Sequence, residues 1–314
     1  MVKNGQLIQM LAPAKINLFL EVLGKRADGY HELRSLVVPI SLGDEITFTA
    51  ASGVEVFCSA EGLPAGNGAL LPAAADNLAS RAARLLQEHV RCAAGARIVI
   101  RKNIPIGGGL GGGSADAAAV LTGLNRLWGA GLSLESLMEL GARLGSDIPA
   151  MVAGRAVLME GRGELVRLIP CQWPVGTKWW VVVVNPGFSV PTGDVYSRYR
   201  TGLTSFAEIS KNAAFALEKG DIDLASACLR NSLEEPVFRK YPLLGLLAER
   251  LKAAGALGVL LSGSGASLFA LARTEEQARA VEECVRCGTG PWLWTRVAQV
   301  LPDGVIGSTR PFGG

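Results

Sequence analysis

Four groups of residues in this 314-residue chain have types and spacing suited to chemistry. The first is Pro105-Ile106-Gly107-Gly108-Gly109-Leu110-Gly111-Gly112-Gly113-Ser114-Ala115, in which six of the seven residues from Gly107 to Gly113 are glycine. Each glycine costs roughly 0.5–1 kcal/mol of chain entropy relative to alanine in regular structure. In return, the backbone N–H groups can turn towards one point. A helical pattern follows from Ser114 to Trp128, with Ala117, Val120, Leu121 and Leu124 in its apolar stripe. A helix N-terminus carries about half a positive charge and free N–H donors. Loop and helix together predict an anion cradle, most often for phosphate. A Walker loop needs a lysine before Ser114, and none is there. A dinucleotide-type Gly-x-Gly-x-x-Gly is formally present at Gly107, Gly109 and Gly112. It requires a following strand, but the next pattern, from Ser133 to Leu144, is again helical. The loop is therefore a phosphate loop of another type.

The second group is Lys15 and Asn17, which share one face of the strand pattern Ala14 to Leu20, opposite Ala14, Ile16, Leu18 and Leu20. They read either as a solvated strand face or as a cation and an amide fixed at a site. The third is Asp147 in Gly145-Ser146-Asp147-Ile148-Pro149, either a helix N-cap or a working carboxylate. The fourth comprises two turns, Asp28-Gly29-Tyr30-His31-Glu32 and Ser262-Gly263-Ser264-Gly265-Ala266-Ser267. The first places an aromatic and a histidine beyond a hairpin corner. The second is a tight hairpin or a small-residue loop that closes over phosphates.

Composition excludes other classes. Net charge is +3 and aromatics are 6% of residues, which argues against nucleic-acid binding. Apolar residues at 49% with 19% charged residues exclude disorder for most of the chain. Glycine, 39 residues or roughly 12% against an average near 7%, is locally concentrated. The longest charge-free run, Ala253 to Ala272, is broken by the Ser-Gly-Ser-Gly turn and reads as two strands, not a membrane span. The N-terminus has Lys3 but no apolar signal region, so the expected location is the cytoplasm. Of six cysteines, only Cys284 and Cys287 form a CxxC; it ends the helical stretch Thr274 to Arg286 and reads as ordinary helix residues. With no second CxxC and with His31 and His89 forming no ligand pair, no metal site is assigned.

The elements that must position these groups are mixed. Strands are expected at Leu33 to Ile40, Glu45 to Ala50 and Arg97 to Arg101, and a helix over 76–91 with Asp76 as N-cap. Beyond residue 170, Trp179 to Val184, Gly258 to Leu261, Leu268 to Ala272 and Trp292 to Val300 read as strands. Residues 205–232 and 242–254 read as helical, and Gly307 to Gly314 as a loose tail. Without strict βαβ alternation the fold class is α+β, in two halves meeting near residues 165–175.

Together, Pro13-Ala14-Lys15-Ile16-Asn17-Leu18, Pro105 to Ala115 and Leu261 to Ser267 resemble, in order, the three motifs of the GHMP small-molecule kinase superfamily. Arg26-Ala27-Asp28-Gly29-Tyr30-His31, Leu144 to Pro149 and Pro186-Gly187-Phe188-Ser189-Val190-Pro191-Thr192 narrow the resemblance to a member of the non-mevalonate isoprenoid route, and the match runs from about residue 10 to 300. It implies a two-domain α+β GHMP kinase fold. Residues 1–168 would form a domain like the second domain of a ribosomal small-subunit protein, and residues 169–314 a ferredoxin-like domain. It implies transfer of the γ-phosphoryl group of Mg-ATP to the 2-hydroxyl of a cytidyl-linked methylerythritol. Asp147 would be the base and Lys15 its partner. Residues 105–115 would hold the ATP phosphates, and Asn77 and Lys102 would sit near the adenosine. Asn17, His31 and Thr192 would contact the acceptor, and Tyr30 and Tyr196 would sandwich the cytosine. ATP and Mg2+ are the implied cofactors and the acceptor is the implied partner, with no nucleic acid, no membrane and no oligomeric state assigned. Another GHMP kinase, acting on homoserine, mevalonate or a sugar, would share the loop without needing Tyr30 and His31. A non-catalytic ATP-binding protein would need neither Lys15 nor Asp147.

Overall fold

The fold is that of a computed structural model, which describes residues 7–64, 71–73, 76–199, 206–290 and 292–304. The tail from Gly307 lies outside the described residues. In the first half, β1 (Leu7–Lys25) and β2 (His31–Ala51) form a long antiparallel hairpin across the Asp28-Gly29 turn. The two strands expected within 33–50 are thus one strand, deflected by a register shift opposite Pro13 and Lys15. Next come β3 (Val54–Ser59), α1 (Leu78–His89) and β4 (Gly95–Arg101). Then follow α2 (Gly112–Leu127), α3 (Leu134–Ala142), α4 (Ile148–Ala153), β5 (Val157–Glu160) and β6 (Leu165–Leu168). Asn77, not Asp76, caps α1: its Oδ1 accepts the Ala79 N–H at 2.9 Å. Ser133 caps α3 as its sequence predicts.

The second half holds β7 (Trp180–Asn185), α5 (Thr192–Arg198), α6 (Ala207–Lys219), α7 (Ile222–Ala227) and β8 (Arg230–Asn231). These are followed by α8 (Glu234–Lys240), α9 (Pro242–Ala253), β9 (Gly258–Leu261), β10 (Leu268–Ala272), α10 (Glu275–Thr289) and β11 (Trp294–Gln299). The helical stretch expected over 205–232 is broken. Gly220 takes a φ of +75° and ends α6, Asp221 caps α7, and β8 follows. The charge-free run is β9, a turn and β10, and among the described residues no helix is long and apolar enough to cross a membrane.

The fold is α+β, on two sheets. The first has the order β3-β4-β2-β1-β8, with β5 and β6 attached to β2. The second, β11-β7-β10-β9, is antiparallel throughout, the strand order of a ferredoxin-like domain. β8 pairs with β1 at Phe19↔Arg230, so the second half completes the first sheet. Both faces of β7 are buried, which explains its unbroken valine run. Val181 and Val183 join the core under β1 with Trp179 and Phe269, while Val182 and Val184 face α9 and α10. A separate core packs Ile46, Phe48, Ile98 and Ile100 against α1 and α2. The alternation along β1 fails after Asn17, where a register shift sends Leu18 and Phe19 into one core and Leu20 into another.

Candidate active site

The glycine-rich loop is packed rather than loose. Gly107, Gly109 and Gly111 have φ of +68°, +77° and +72°, which disfavours any residue with a Cβ. Space excludes one as well: a Cβ on Gly109 would lie 2.1 Å from the Ser262 carbonyl oxygen. Three successive loop carbonyls are engaged from outside. Ser267 N donates to Gly108 O at 3.0 Å, Ser262 Oγ to Gly109 O at 3.0 Å, and Lys15 N to Leu110 O at 3.0 Å. The turn at 262–267 and the strand carrying Lys15 thus hold the loop from two sides. The loop borders a cavity of about 540 Å3, lined by Pro105 through Ser114 and also by Asn77, Leu78 and Cys58. α2 starts at Gly112, two residues before the helix read from sequence, and no side chain caps it. Its first-turn N–H groups therefore face the cavity mouth without an intrahelical partner. Such a cavity suits a nucleotide with its phosphates at the helix N-terminus.

Ala115 does not line this cavity. It is buried in the helix core, and its N–H already bonds to Gly111 O at 2.8 Å, which closes the first helical turn. Asn77 uses its Oδ1 as the α1 cap and directs its amide at Cys58 Sγ, 3.3 Å away. Lys102 lines the floor, but its ammonium is held between Asp44 and Asp116, the latter at 2.5 Å. The Lys102 ammonium thus already has two carboxylate partners at the edge of the nucleotide-sized cavity.

A second cavity, of about 230 Å3, adjoins the first and shares Gly109, Gly111 and Thr192 with it. Lys15, Asn17, Asp147, Tyr196, Gly263 and Ser264 line it. The bulges of β1 turn Lys15 and Asn17 to this side. Lys15 is only 6% exposed and donates to Asn17 Oδ1 at 2.6 Å; Asn17 donates in turn to Ser35 Oγ at 2.8 Å. Burial pulls the Lys15 ammonium below its ordinary pKa, and the facing Asp147 carboxylate pulls it back up. Asp147 stands at the N-cap position of α4, yet its side chain makes no capping bond, which leaves the carboxylate to the cavity. Tyr196, on α5, has its hydroxyl pushed up by burial and by Asp147. The Thr192 and Ser264 hydroxyls meet at 2.9 Å where the two cavities join.

His31, at the start of β2, packs its ring 5.2 Å from that of Tyr196. Tyr30 stands apart: it is 55% exposed, and the Arg162 guanidinium lies 4.9 Å from its ring centroid. Of the two tyrosines expected as a sandwich, Tyr196 thus lines the second cavity, while Tyr30 is exposed at the hairpin corner beside Arg162. Cys284 and Cys287 are free and exposed within α10, which runs on to Thr289. Sequence reasoning missed Asp44, which lies between the strands expected at Leu33 to Ile40 and Glu45 to Ala50; Ser264 was included only as part of the small-residue turn at 262–267.

The chain matches known families and proteins over most of its length. The GHMP kinases N terminal domain matches residues 77–155 and the GHMP kinases C terminal domain residues 213–290. A 4-diphosphocytidyl-2-C-methyl-D-erythritol kinase of Geobacter metallireducens is 43% identical, over 88% of this chain and 94% of its own. The protein of that name from Pelotomaculum thermopropionicum is 44% identical, over 87% of this chain and 92% of its own. A crystal structure of 4-(cytidine 5'-diphospho)-2C-methyl-D-erythritol kinase superposes with a TM-score of 0.74 at 35% identity, covering 94% of this chain and 99% of that one. Homoserine kinase from Cytophaga hutchinsonii also reaches 0.74, at 21% identity, covering 96% and 98%. That likeness is one of fold alone.

Proposed function

The chain belongs to the GHMP kinase family, among the 4-diphosphocytidyl-2-C-methyl-D-erythritol kinases, and on that premise we propose the reaction and the residues that perform it. The γ-phosphoryl group of Mg-ATP passes to the tertiary 2-hydroxyl of 4-diphosphocytidyl-2-C-methyl-D-erythritol, giving the 2-phosphate and ADP on the non-mevalonate route to isopentenyl diphosphate. The observation that carries this reading is the junction of the two cavities. A nucleotide-sized space and an acceptor space share Gly109, Gly111 and Thr192, and Lys15 and Asp147 face each other beside that junction.

The chemistry is positioning and charge stabilisation. The amides of residues 107–114 hold the β- and γ-phosphates, and Mg2+ arrives with them as part of the substrate. Asn77 and the Lys102 segment border the adenosine. The acceptor hydroxyl sits between Asp147 and the junction. As its oxygen bonds to phosphorus and the bond to ADP breaks, its proton passes to an Asp147 oxygen. Lys15, oriented by Asn17, offsets the charge on the transferring group and holds the Asp147 carboxylate in place. Thr192 and His31 contact the acceptor, and Tyr196 offers a ring to the cytosine. Tyr30, with the Arg162 guanidinium over its ring, offers the second ring of the cytosine sandwich. The same reading divides the chain into domains 1–168 and 169–314, with the acceptor between them.

ADP release tests the proposal, measured with the cytidyl acceptor, homoserine, mevalonate and galactose in parallel. The highest kcat/KM belongs to the cytidyl acceptor. Turnover of homoserine, mevalonate or galactose in preference to it would overturn the acceptor while leaving a GHMP kinase.

A further inference from the structure

Beneath the phosphate loop lies a buried cluster whose two carboxyl groups the proposed reaction does not use. Asp44, on β2, is fully buried. Its Oδ1 accepts the N–H groups of Asn103, at 2.6 Å, and Ile104, at 2.8 Å, the residues that lead into the loop. Its Oδ2 accepts from the Lys102 ammonium, which also donates to Asp116 Oδ2 at 2.5 Å. Asp116 lies in α2, just beyond the loop's exit. One ammonium therefore ties together the strand under the loop, the loop's entry and the helix at its exit. It also lies close to the helix start: a Cβ on Gly112 would come 3.4 Å from Lys102 Nζ.

The charges of this cluster do not balance if both carboxyls are ionised. Two anions would share one cation directly below a site built for a triphosphate, and the net negative charge would oppose the helix N-terminus. The hydrogen bonds say the same. Among the described residues Asp116 Oδ1 is buried without a partner, which an ionised carboxylate tolerates poorly. We propose that Asp44, Lys102 and Asp116 form a positioning cluster for the phosphate loop, in which Asp116, the carboxyl with an oxygen left unpartnered, carries a proton so that the ground under the triphosphate stays neutral. This rests on the nucleotide site proposed above.

Burial pushes Asp116 up to about 8, against the pull of Lys102. Burial pulls Lys102 down, but Asp116 and Asp44 together hold it above its ordinary value. The other titratable neighbour is Cys58 on β3, whose thiol burial pushes up, so it stays neutral. An incoming triphosphate favours the protonated cluster. ATP affinity is therefore steady below about pH 8 and declines as the pH rises past that point.

Calorimetric titration of the full chain with ATP, without acceptor, from about pH 7.5 to about pH 9.5 tests this. In the wild type, Kd rises about ten-fold across that range; in Asp116→Asn, which keeps the shape and cannot ionise, the rise is lost. Lys15, across the loop, has its own pKa lowered by burial, and the Asn variant separates the two because it leaves Lys15 untouched. In Lys102→Met, Kd for ATP weakens about ten-fold at neutral pH, while KM for the cytidyl acceptor at saturating ATP stays within about two-fold. A pH dependence in Asp116→Asn equal to the wild type, or unchanged ATP affinity in folded Lys102→Met, overturns the cluster's role and leaves the kinase reading intact. A wild type that binds no ATP at any pH overturns the nucleotide site itself.

Discussion

Lys15→Met removes a buried charge while nearly conserving side-chain volume and length. Lys15 is held by Asn17 at 2.6 Å and faces Asp147 at the cavity junction. Its loss has two separable effects. At an effective dielectric constant near 20, a unit charge about 4 Å from another is worth about 4 kcal/mol. At about 1.4 kcal/mol per factor of ten, kcat is expected to fall about 10³-fold if Lys15 offsets charge in the transition state. Stability responds differently. Burial lowers the Lys15 pKa, so the folded state disfavours the charged form, and methionine relieves that penalty. Against this, Asn17 Oδ1 loses its donor in a buried position, a cost of about 1–3 kcal/mol. The effects oppose each other, and at roughly 2–4 °C per kcal/mol for a chain of this size Tm is expected to move by only a few degrees. The assay couples ADP release to NADH oxidation at saturating ATP and acceptor, alongside thermal unfolding by circular dichroism. A folded variant retaining kcat within about ten-fold would refute the electrostatic role. So would a collapse of Tm that accounts for the lost activity.

Asp147→Asn keeps the side chain's size and its position before α4, so the fold is expected to survive while kcat falls about 10²–10⁴-fold; a rate near wild type removes Asp147 as base. Tyr196→Ala is expected to raise KM for the cytidyl acceptor more than Tyr30→Ala does, because Tyr196 lines the acceptor cavity while Tyr30 is half exposed under Arg162; steady-state KM values for both substrates check this, and equal effects on ATP and acceptor argue against base stacking. Gly109→Ala forces a Cβ to within 2.1 Å of the Ser262 carbonyl at a φ of +77°. It is expected to weaken ATP binding about ten-fold or more and to lower Tm; unchanged calorimetric affinity would show that the loop adapts.

The local parts of the site were legible in the sequence. The glycine run, its helix, and Lys15 and Asn17 on one strand face all lie within short stretches whose spacing reports their geometry. Whatever depends on distant partners was not. Asp44 becomes intelligible only when Lys102 and Asp116, 58 and 14 residues from their bonded partners in the cluster, are folded around it. α5 and α8 escaped notice because Pro191 and Leu233 begin them without any side-chain cap, leaving no N-terminal signature. The strands expected at Leu33 to Ile40 and Glu45 to Ala50 are one, because a register shift against β1 between Pro13 and Lys15 carries the chain through. Asp76 and Asn77 are both good capping types, and only the hydrogen bond to Ala79 decides between them. Tyr30 shows the converse: its motif was clear in sequence, while the cation over its ring comes from Arg162, more than a hundred residues away.

The most direct test of the account is phosphorus NMR of the purified chain with Mg-ATP and 4-diphosphocytidyl-2-C-methyl-D-erythritol. The account predicts a new phosphomonoester signal that grows in step with ADP and shows its coupling to the carbon bearing the 2-hydroxyl. ATP left intact with this acceptor, but consumed with homoserine or mevalonate, would contradict it.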